Sequence, residues 1–341
     1  MTIKKVEESF SRNLTAVQLL QNALSSSFID AYVEHVENLV DDYQVRVIDG
    51  VPDEKSVKRL QEIYQQLATE QLTPEEIRKV SQLVLLKGTQ TEPLQPNHQL
   101  TPDGIGFLFI YLIEQLYPRK EKPLTILDVT VGMGNLLLTI INNLRIAGYQ
   151  SIKGVGVDND ETLLGVAAAT SSWMGETLTL FHQDGLQAML LEPMDVAVAD
   201  LPVGYYPDDE RASEFMMSVS QEHSYAHHLL MEQSMRYVKE SGYGLFLLPT
   251  NFLQTDQSHV VKKWLQERVF LQGIIELPDE LFKQDTSRKS IVIVQNRNEH
   301  TNQVPEVLLA KLGSLSNPKS IQAFFTQFET WLQENKKEIK D

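Results

Sequence analysis

Residues 124–129 are apolar and β-branched. They run through Thr130-Val131-Gly132-Met133-Gly134 into an apolar helical pattern that starts at Asn135. A buried strand, a glycine turn and a helix start, in that order, are the opening unit of a doubly wound α/β fold. There the turn is the place where a nucleotide-type cofactor meets the backbone. Glycines at 132 and 134 carry no Cβ, so the chain can turn sharply and let a ligand approach. A G-x-G pattern alone is equally met by a plain strand-to-helix turn, so the residues downstream must decide.

Composition narrows the setting. The 341 residues are long enough for a substantial core and for two domains. The chain has no cysteine, which excludes disulfides and thiolate metal sites and makes a reducing cytoplasm the expected location. The first 13 residues are polar, and no apolar run approaches the roughly 20 residues of a membrane span. The formal net charge of −16 is spread along the chain. Residues 1–100 hold 10 basic against 15 acidic side chains and the remainder 20 against 31, which argues against strong non-specific nucleic-acid binding. Lys262, Lys263 and Arg268, with Lys283, Arg288 and Lys289, are the candidates for a local positive groove; the alternative is a solvated helix face and loop.

Residues 1–90 read as an all-helical N-terminal domain for packing, dimerisation or substrate contact. Leu14, Val17, Leu20 and Leu24 recur at helical spacing, as do Tyr32, Val33, Val36, Val40 and Tyr43. Thr73-Pro74-Glu75-Glu76 is a helix start with a capping box. His35 is expected on a helix face. The domain should end near Gly88, before a polar linker at 89–99. Thr101-Pro102-Asp103-Gly104 then opens another helix, where Thr101 serves as N-cap or helps hold an anionic ligand group.

From 124 on, strands and helices alternate. The reading is an α/β, Rossmann-like, doubly wound, mainly parallel seven-stranded sheet. Strands are expected at 124–130, 153–158, 177–182, 195–200 and 244–249, and helices at 135–148, 160–173, 222–240 and 257–268. Strands 271–277 and 289–295, with no helix between them, should pair as a late antiparallel hairpin. A short strand at 306–311 and a terminal amphipathic helix at 318–335 complete the chain. The expected domains are 1–90, 98–315 and a C-terminal helical segment, 316–341.

Three strand ends carry acids. Asp158 closes the second strand, where it can accept hydrogen bonds from ribose hydroxyls, although it follows Gly132 by more than the roughly 20 residues of the dinucleotide pattern. Asp184, before Gly185, closes the third and could accept from an adenine amino group. Helix capping is the alternative for each. Asp200-Leu201-Pro202-Val203 closes the fourth. The Asp200 side chain and the Leu201 carbonyl could together hold an exocyclic amino group; the alternative is an Asp-initiated proline turn with Tyr205 and Tyr206 packing on the sheet.

Taken together, these segments resemble the class I S-adenosylmethionine (SAM)-dependent methyltransferases of the N6-adenine DNA methyltransferase superfamily. The modification subunits of type I restriction systems and their stand-alone YtxK-type relatives are the most similar. The resemblance spans about 98–310. It rests on Leu100-Thr101-Pro102, on Asp128-Val129-Thr130-Val131-Gly132-Met133-Gly134-Asn135-Leu136, on Gly156-Val157-Asp158 and on Gln183-Asp184-Gly185. Glu276-Leu277-Pro278-Asp279-Glu280-Leu281-Phe282, leading into 290–294, also matches. It implies SAM as methyl donor, held by Thr101, Asp128, Thr130, Gly132, Gly134, Asn135, Asp158, Asn159, Asp184, Gly185 and Asp200. It implies Asp200, Leu201 and Pro202 as the catalytic segment, with Val203, Tyr205 and Tyr206 toward the substrate. The family tetrad N-P-P-[YF] or D-P-P-Y here reads Asp200-Leu201-Pro202-Val203, so its stacking aromatic is replaced. No segment of these residues is expected to serve as the long C-terminal extension or insertion with which such enzymes read target DNA.

The expectation is a SAM-dependent N-methyltransferase of adenine-N6 type. Transfer to a protein amide, RNA or a small molecule is one alternative, and a catalytically silent SAM-binding interaction protein another. DNA and a second copy of the chain, bound through the N-terminal helices, are the expected partners, with no membrane and no metal. His223, His227 and His228 have ligand-like spacing but are expected on a solvent-exposed helix start.

Overall fold

The computed structural model describes residues 3–220, 222–282, 284 and 287–335. Two units emerge: residues 1–106, 131–148 and 158–182 form the first, and residues 107–130, 149–157 and 183–341 the second.

In the first unit, α1 (Ile3–Leu24), α2 (Phe28–Val40) and α4 (Pro74–Thr91) carry the two stripes and the start signal, and α3 (Glu54–Leu67) lies between them in the region read as helical. Each of the last three begins at a side-chain cap: Ser27, Asp53 and Thr73, the last with the full capping box to Glu76. Helix α4 runs past Gly88 to Thr91, and a 3₁₀ turn at Pro96–His98 follows, so less of 89–99 is irregular than the prolines suggested. Helix α5 (Asp103–Leu116) starts at Asp103, so Pro102 rather than Thr101 stands directly before it.

These helices do not pack only on one another. Val17, Leu20, Tyr32 and Val36 share a core with Met133 and with Leu163, Val166 and Ala169. The last three lie on α7 (Glu161–Trp173), the helix after the second strand. Polar contacts match this packing. The Tyr32 hydroxyl lies 2.8 Å from Thr170 Oγ1. Buried Arg78 donates to Glu75, Asp103 and Thr139, the last on α6 (Asn135–Ile146). Its five donors need such partners because an unpaired buried guanidinium is costly. The apolar stripes of the N-terminal helices are thus largely spent inside the chain.

The second unit holds β1 (Leu124–Asp128), most of β2 (Ile152–Asp158), β4 (Met194–Asp200), β5 (Val238–Pro249), β6 (Val269–Glu276), β7 (Lys289–Asn296) and β8 (Leu308–Lys311); β3 (Leu178–His182) falls in the first. Within the second unit the order is β2-β1-β4-β5-β7-β6-β8. Among the described residues the strands number eight rather than seven, because the short strand expected near 306–311 adds to the sheet, parallel to β6. Strands β1, β2, β4 and β5 are parallel, while β7 runs antiparallel between β5 and β6, as the missing crossover helix required.

Helix α8 (Asp209–Ala212) is a single turn, and α9 (Ala226–Arg236) is shorter than expected because β5 already begins at Val238. Helix α10 (Ser258–Glu267) precedes β6. The terminal helix α11 (Pro318–Glu334) is capped by Asn317 and packs Phe324, Phe325 and Phe328 around Tyr111 of α5.

His35 lies wholly inside the helical core, on the buried face of α2, between Tyr64 Oη (3.1 Å) and Asn13 Oδ1 (2.7 Å). Burial pushes its pKa down to about 3. The unfolded chain binds this proton near pH 6.5, so the fold's advantage is complete above that value and shrinks as pH falls toward 3. Each pH unit in that window should cost up to about 1.4 kcal/mol. Urea unfolding should show His35→Leu less stable at neutral pH by about 1–3 kcal/mol, with a flatter decline than wild type between pH 6.5 and 4.

Candidate active site

In the first unit, Gly132 and Gly134 take the left-handed φ values of +51° and +77° that favour glycine. A Cβ on Gly134 would press on Ala167 of α7 at 3.0 Å, whereas the space at Gly132 is open. The turn aims the Gly132 N–H at Asp158, where it donates to Oδ2 at 2.7 Å. The Asp160 N–H donates to the other oxygen at 3.0 Å. Asp158 therefore does not cap α7; Asp160 does, accepting from Thr162 and Leu163. Burial raises the pKa of the Asp158 carboxyl, against the pull of those two N–H donors. Asn135, first residue of α6, donates its side-chain amide to the Thr101 carbonyl at 2.7 Å. Asn159 is exposed, and its carbonyl lies 3.2 Å from His182 Nε2. Thr101 and Asn135 are thus bonded to each other, as are Gly132 and Asp158, while Gly134 bonds back to Val131 and Asn159 lies against His182.

The remaining predicted residues lie in the second unit. Asp128 is buried at the end of β1 and accepts the Thr130 N–H at 3.0 Å; β1 ends here, and 129–130 begin the turn. A Cβ on Gly185 would stand 2.7 Å from the Val129 carbonyl oxygen and 2.9 Å from Leu230, so this glycine lets the segment after β3 lie against the tip of β1. Asp184 accepts the Leu186 N–H at 2.8 Å and, on its other oxygen, the Tyr206 hydroxyl at 2.6 Å. Burial, together with that acceptor, raises the pKa of Tyr206. The loop after β4 is thereby tied to Asp184.

Asp200 pairs with Lys289, the first residue of β7. Leu201 is buried and donates its N–H to the Leu247 carbonyl at 3.2 Å, while Pro202 is partly buried. Val203 and Tyr205 are exposed. The basic groove is not realised as a set of open cations: Lys289 is on Asp200 and Arg288 lies 3.3 Å from Asp279, with Lys262, Lys263 and Arg268 at the surface of α10 and its end. Lys283 lies outside the described residues.

Two of the three histidines differ from expectation. His223 is exposed and 2.9 Å from Asp209, but His227 and His228 are buried on the inner face of α9. No group of acids and histidines suited to a metal occurs among the described residues. Sequence reasoning missed Lys289 as a partner of Asp200. Only register reveals it: Asp200 faces Leu247 across β4 and β5, Leu247 faces Ile291 across β5 and β7, and Lys289 lies two residues before Ile291.

Two families match the chain: the YtxK N-terminal helical domain over residues 9–89 and the N-6 DNA methylase over residues 95–329. The Bacillus subtilis (strain 168) protein YtxK is 35% identical over 323 residues, covering 94% of this chain and 95% of that protein. A Listeria monocytogenes protein crystallised as a candidate class I SAM-dependent methyltransferase is 39% identical, with a TM-score of 0.88 and coverage of 97% and 99%. The type I restriction-modification methyltransferase subunit from Streptococcus thermophilus has the same fold, at 13% identity, a TM-score of 0.63 and coverage of 96% and 79%.

Gly185→Ala should lower stability by about 1–3 kcal/mol, because the added methyl meets a backbone oxygen that cannot swing away. A thermal melt of the variant checks this; Gly185 has no left-handed φ, so crowding rather than backbone strain would account for the loss.

Proposed function

The chain belongs to the N-6 DNA methylase family, and from that premise we propose that it is a SAM-dependent N-methyltransferase whose acceptor nitrogen is held at Asp200. Methyltransferase chemistry with SAM as donor follows from the family. When bound, SAM supplies a methyl group already activated on a sulfonium. What remains for the protein is to hold donor and acceptor in line and to exclude water.

The observation that carries the reading is the Asp158 carboxylate, fixed by two backbone N–H groups beside an open glycine turn. It suits a ribose diol: acceptor oxygens are pre-oriented, and no side chain blocks approach at Gly132. On this reading Asp158 takes the ribose, with Asn159 beside it. Asp184 and Gly185 receive the adenine edge. Thr101, Asp128, Thr130, Gly134 and Asn135 hold the methionine end. Asp200 and the Leu201 carbonyl accept from the acceptor amino group, with Pro202 stiffening the turn and Val203, Tyr205 and Tyr206 flanking the acceptor. Lys289 fixes the Asp200 carboxylate. Transfer would form the N–C bond as the methyl C–S bond breaks and S-adenosylhomocysteine leaves as a neutral thioether; the methylated nitrogen must then shed one proton, and no strong base is needed if water or a carboxylate takes it.

Adenine N6 in DNA is the acceptor the family suggests. A protein amide is the second reading, favoured by the net charge of −16, which repels a polyanion. Incubation with methyl-labelled SAM and separate DNA, RNA and protein fractions distinguishes them by where the label goes; label in none would refute the enzymatic reading.

Asp158→Ala should weaken SAM binding about 10- to 100-fold in calorimetry, the loss expected for hydrogen bonds to a charged group. In wild type, affinity should fall on acidification at a pH above the ordinary aspartate value of about 3.9, because burial holds the proton on Asp158 more tightly. Asp200→Ala should lower transfer at least about 100-fold while sparing most of the SAM affinity.

A further inference from the structure

In the second unit, a cavity of about 340 Å³ opens at the end of the sheet where β1 and β4 begin. Its lining comes from the segment leading into β1, from Tyr149, from Asp195 of β4 and from residues 239–243 of β5. Cavities of this size ordinarily take small organic ligands. Strand β1 ends at Asp128 and β4 at Asp200, four residues beyond Leu124 and five beyond Asp195. At about 3.3 Å per residue, those strand ends lie roughly 13–17 Å away. The cavity contains none of the residues given to the methyl donor or acceptor.

Its walls are held by their neighbours. Between the pairs Met194–Val238 and Val196–Tyr243, β4 spends one residue and β5 spends four, so 239–242 bulge from the sheet. Gly242 lets the bulge lie on β4, because a Cβ there would stand 2.7 Å from the Asp195 carbonyl oxygen. Buried Ser241 takes a left-handed φ of +61°, a strained value for a residue with a Cβ. Gln295 donates to its carbonyl at 2.9 Å and the Asn298 amide to its hydroxyl. Such strain persists only where surrounding contacts over-determine it, and it clusters at ligand clamps. Tyr117 secures another wall. Its hydroxyl donates to the Asp195 carbonyl and accepts the Tyr243 N–H at 3.1 Å, and its carbonyl accepts the Tyr149 hydroxyl at 2.6 Å. Burial, then the charge of Glu114, pushes the Tyr149 pKa up to about 12, so this phenol stays neutral.

The charge of the lining is opposite in sign to that of the chain. The chain carries −16, yet Arg119, Lys122 and Lys239 face only Asp195 and Glu240 here. Asp195 is spent within the fold: one oxygen accepts Lys239 at 2.6 Å and the other the Thr125 N–H at 2.7 Å. Arg119 and Lys122 are exposed, and neither side chain has a partner among the described residues. Two cations therefore stand at the cavity against Glu240 alone.

We propose that this cavity is a second ligand site, for a small organic oxyanion whose phosphate or carboxylate meets Arg119 and Lys122 and whose apolar body lies along Pro118, Pro123 and Tyr117. The planar fork of a guanidinium suits two oxygens of one head group, and the ammonium adds a point charge. A wall already fixed by Ser241 and Tyr117 loses little freedom when the ligand arrives. The site is independent of the methyl-donor reading.

Calorimetry on the full chain tests it with phenyl phosphate, benzoate, benzyl alcohol and inorganic phosphate. At least one of the two aromatic anions should bind saturably, with a Kd on the order of 1 mM, and at least about fivefold better than benzyl alcohol or inorganic phosphate. Whichever anion binds more tightly identifies the head group. Arg119→Ala should weaken that binding roughly 5- to 30-fold, the loss expected for one hydrogen bond to a charged group, and Lys122→Ala should weaken it as well. Both side chains are exposed, so the fold should survive. Lys262→Ala, which removes an exposed cation on α10, should leave the binding unchanged. Added S-adenosylhomocysteine should not displace the anion. No saturation up to about 20 mM, some twentyfold above the expected Kd, would overturn the site. So would equal binding of benzyl alcohol or inorganic phosphate, undiminished binding in Arg119→Ala and Lys122→Ala, an equal loss in Lys262→Ala, or displacement by S-adenosylhomocysteine. If S-adenosylhomocysteine itself fails to bind, the methyl-donor reading falls and the cavity stands, because the variants locate the anion without it.

Discussion

The hydrogen bond from the Gly132 amide to the Asp158 carboxylate is the contact on which the candidate site depends. It exists because two glycines adopt left-handed backbone values, which turns an N–H out of the strand-to-helix corner and toward the second strand's end. A residue with a Cβ would strain that turn and crowd the open side. The bond fixes the carboxylate while leaving the corner accessible. The Asp160 amide completes the arrangement, and Asp160, freed from binding, caps the next helix. Of two aspartates two residues apart, one thus caps α7 and the other is held at the glycine turn.

Much of this was legible in the sequence. The strand-glycine-helix unit, the capping box at Thr73 and the antiparallel pairing of the late strands follow from local rules, and all formed as expected. Boundaries were less legible. Strand β5 starts six residues early, at Val238, where it pairs with Met194 of β4, and this cuts short the helical pattern of 222–240. The reading of His227 and His228 as exposed failed for a related reason: adjacent histidines look polar in sequence, yet here they form the inner wall behind Tyr225. The partnership of Lys289 with Asp200 spans 89 residues and depends on sheet register, which no local pattern encodes.

The altered tetrad also reads differently in three dimensions. Replacing the usual aromatic by Val203 leaves the loop without a ring at that position, but the loop is pinned to the start of α9 and its two tyrosines are sorted, one inward to Asp184 and one outward. The backbone around Asp200 is thus held by neighbours on both sides, through Leu201 to β5 and through Tyr206 to Ser224. Such support is what a segment needs if its carbonyl and carboxylate are to meet an incoming amine without rearrangement.

The contact between Tyr32 and Thr170 joins residues 138 positions apart. A ribosome adding about 5–20 residues per second leaves α2 waiting roughly 7–28 s for α7 to be made. Throughout that interval the sticky side of the leading helices has nothing to rest on except itself or a chaperone. The part of α2 that meets α7 thus stays uncovered until the second strand and the helix after it have been made.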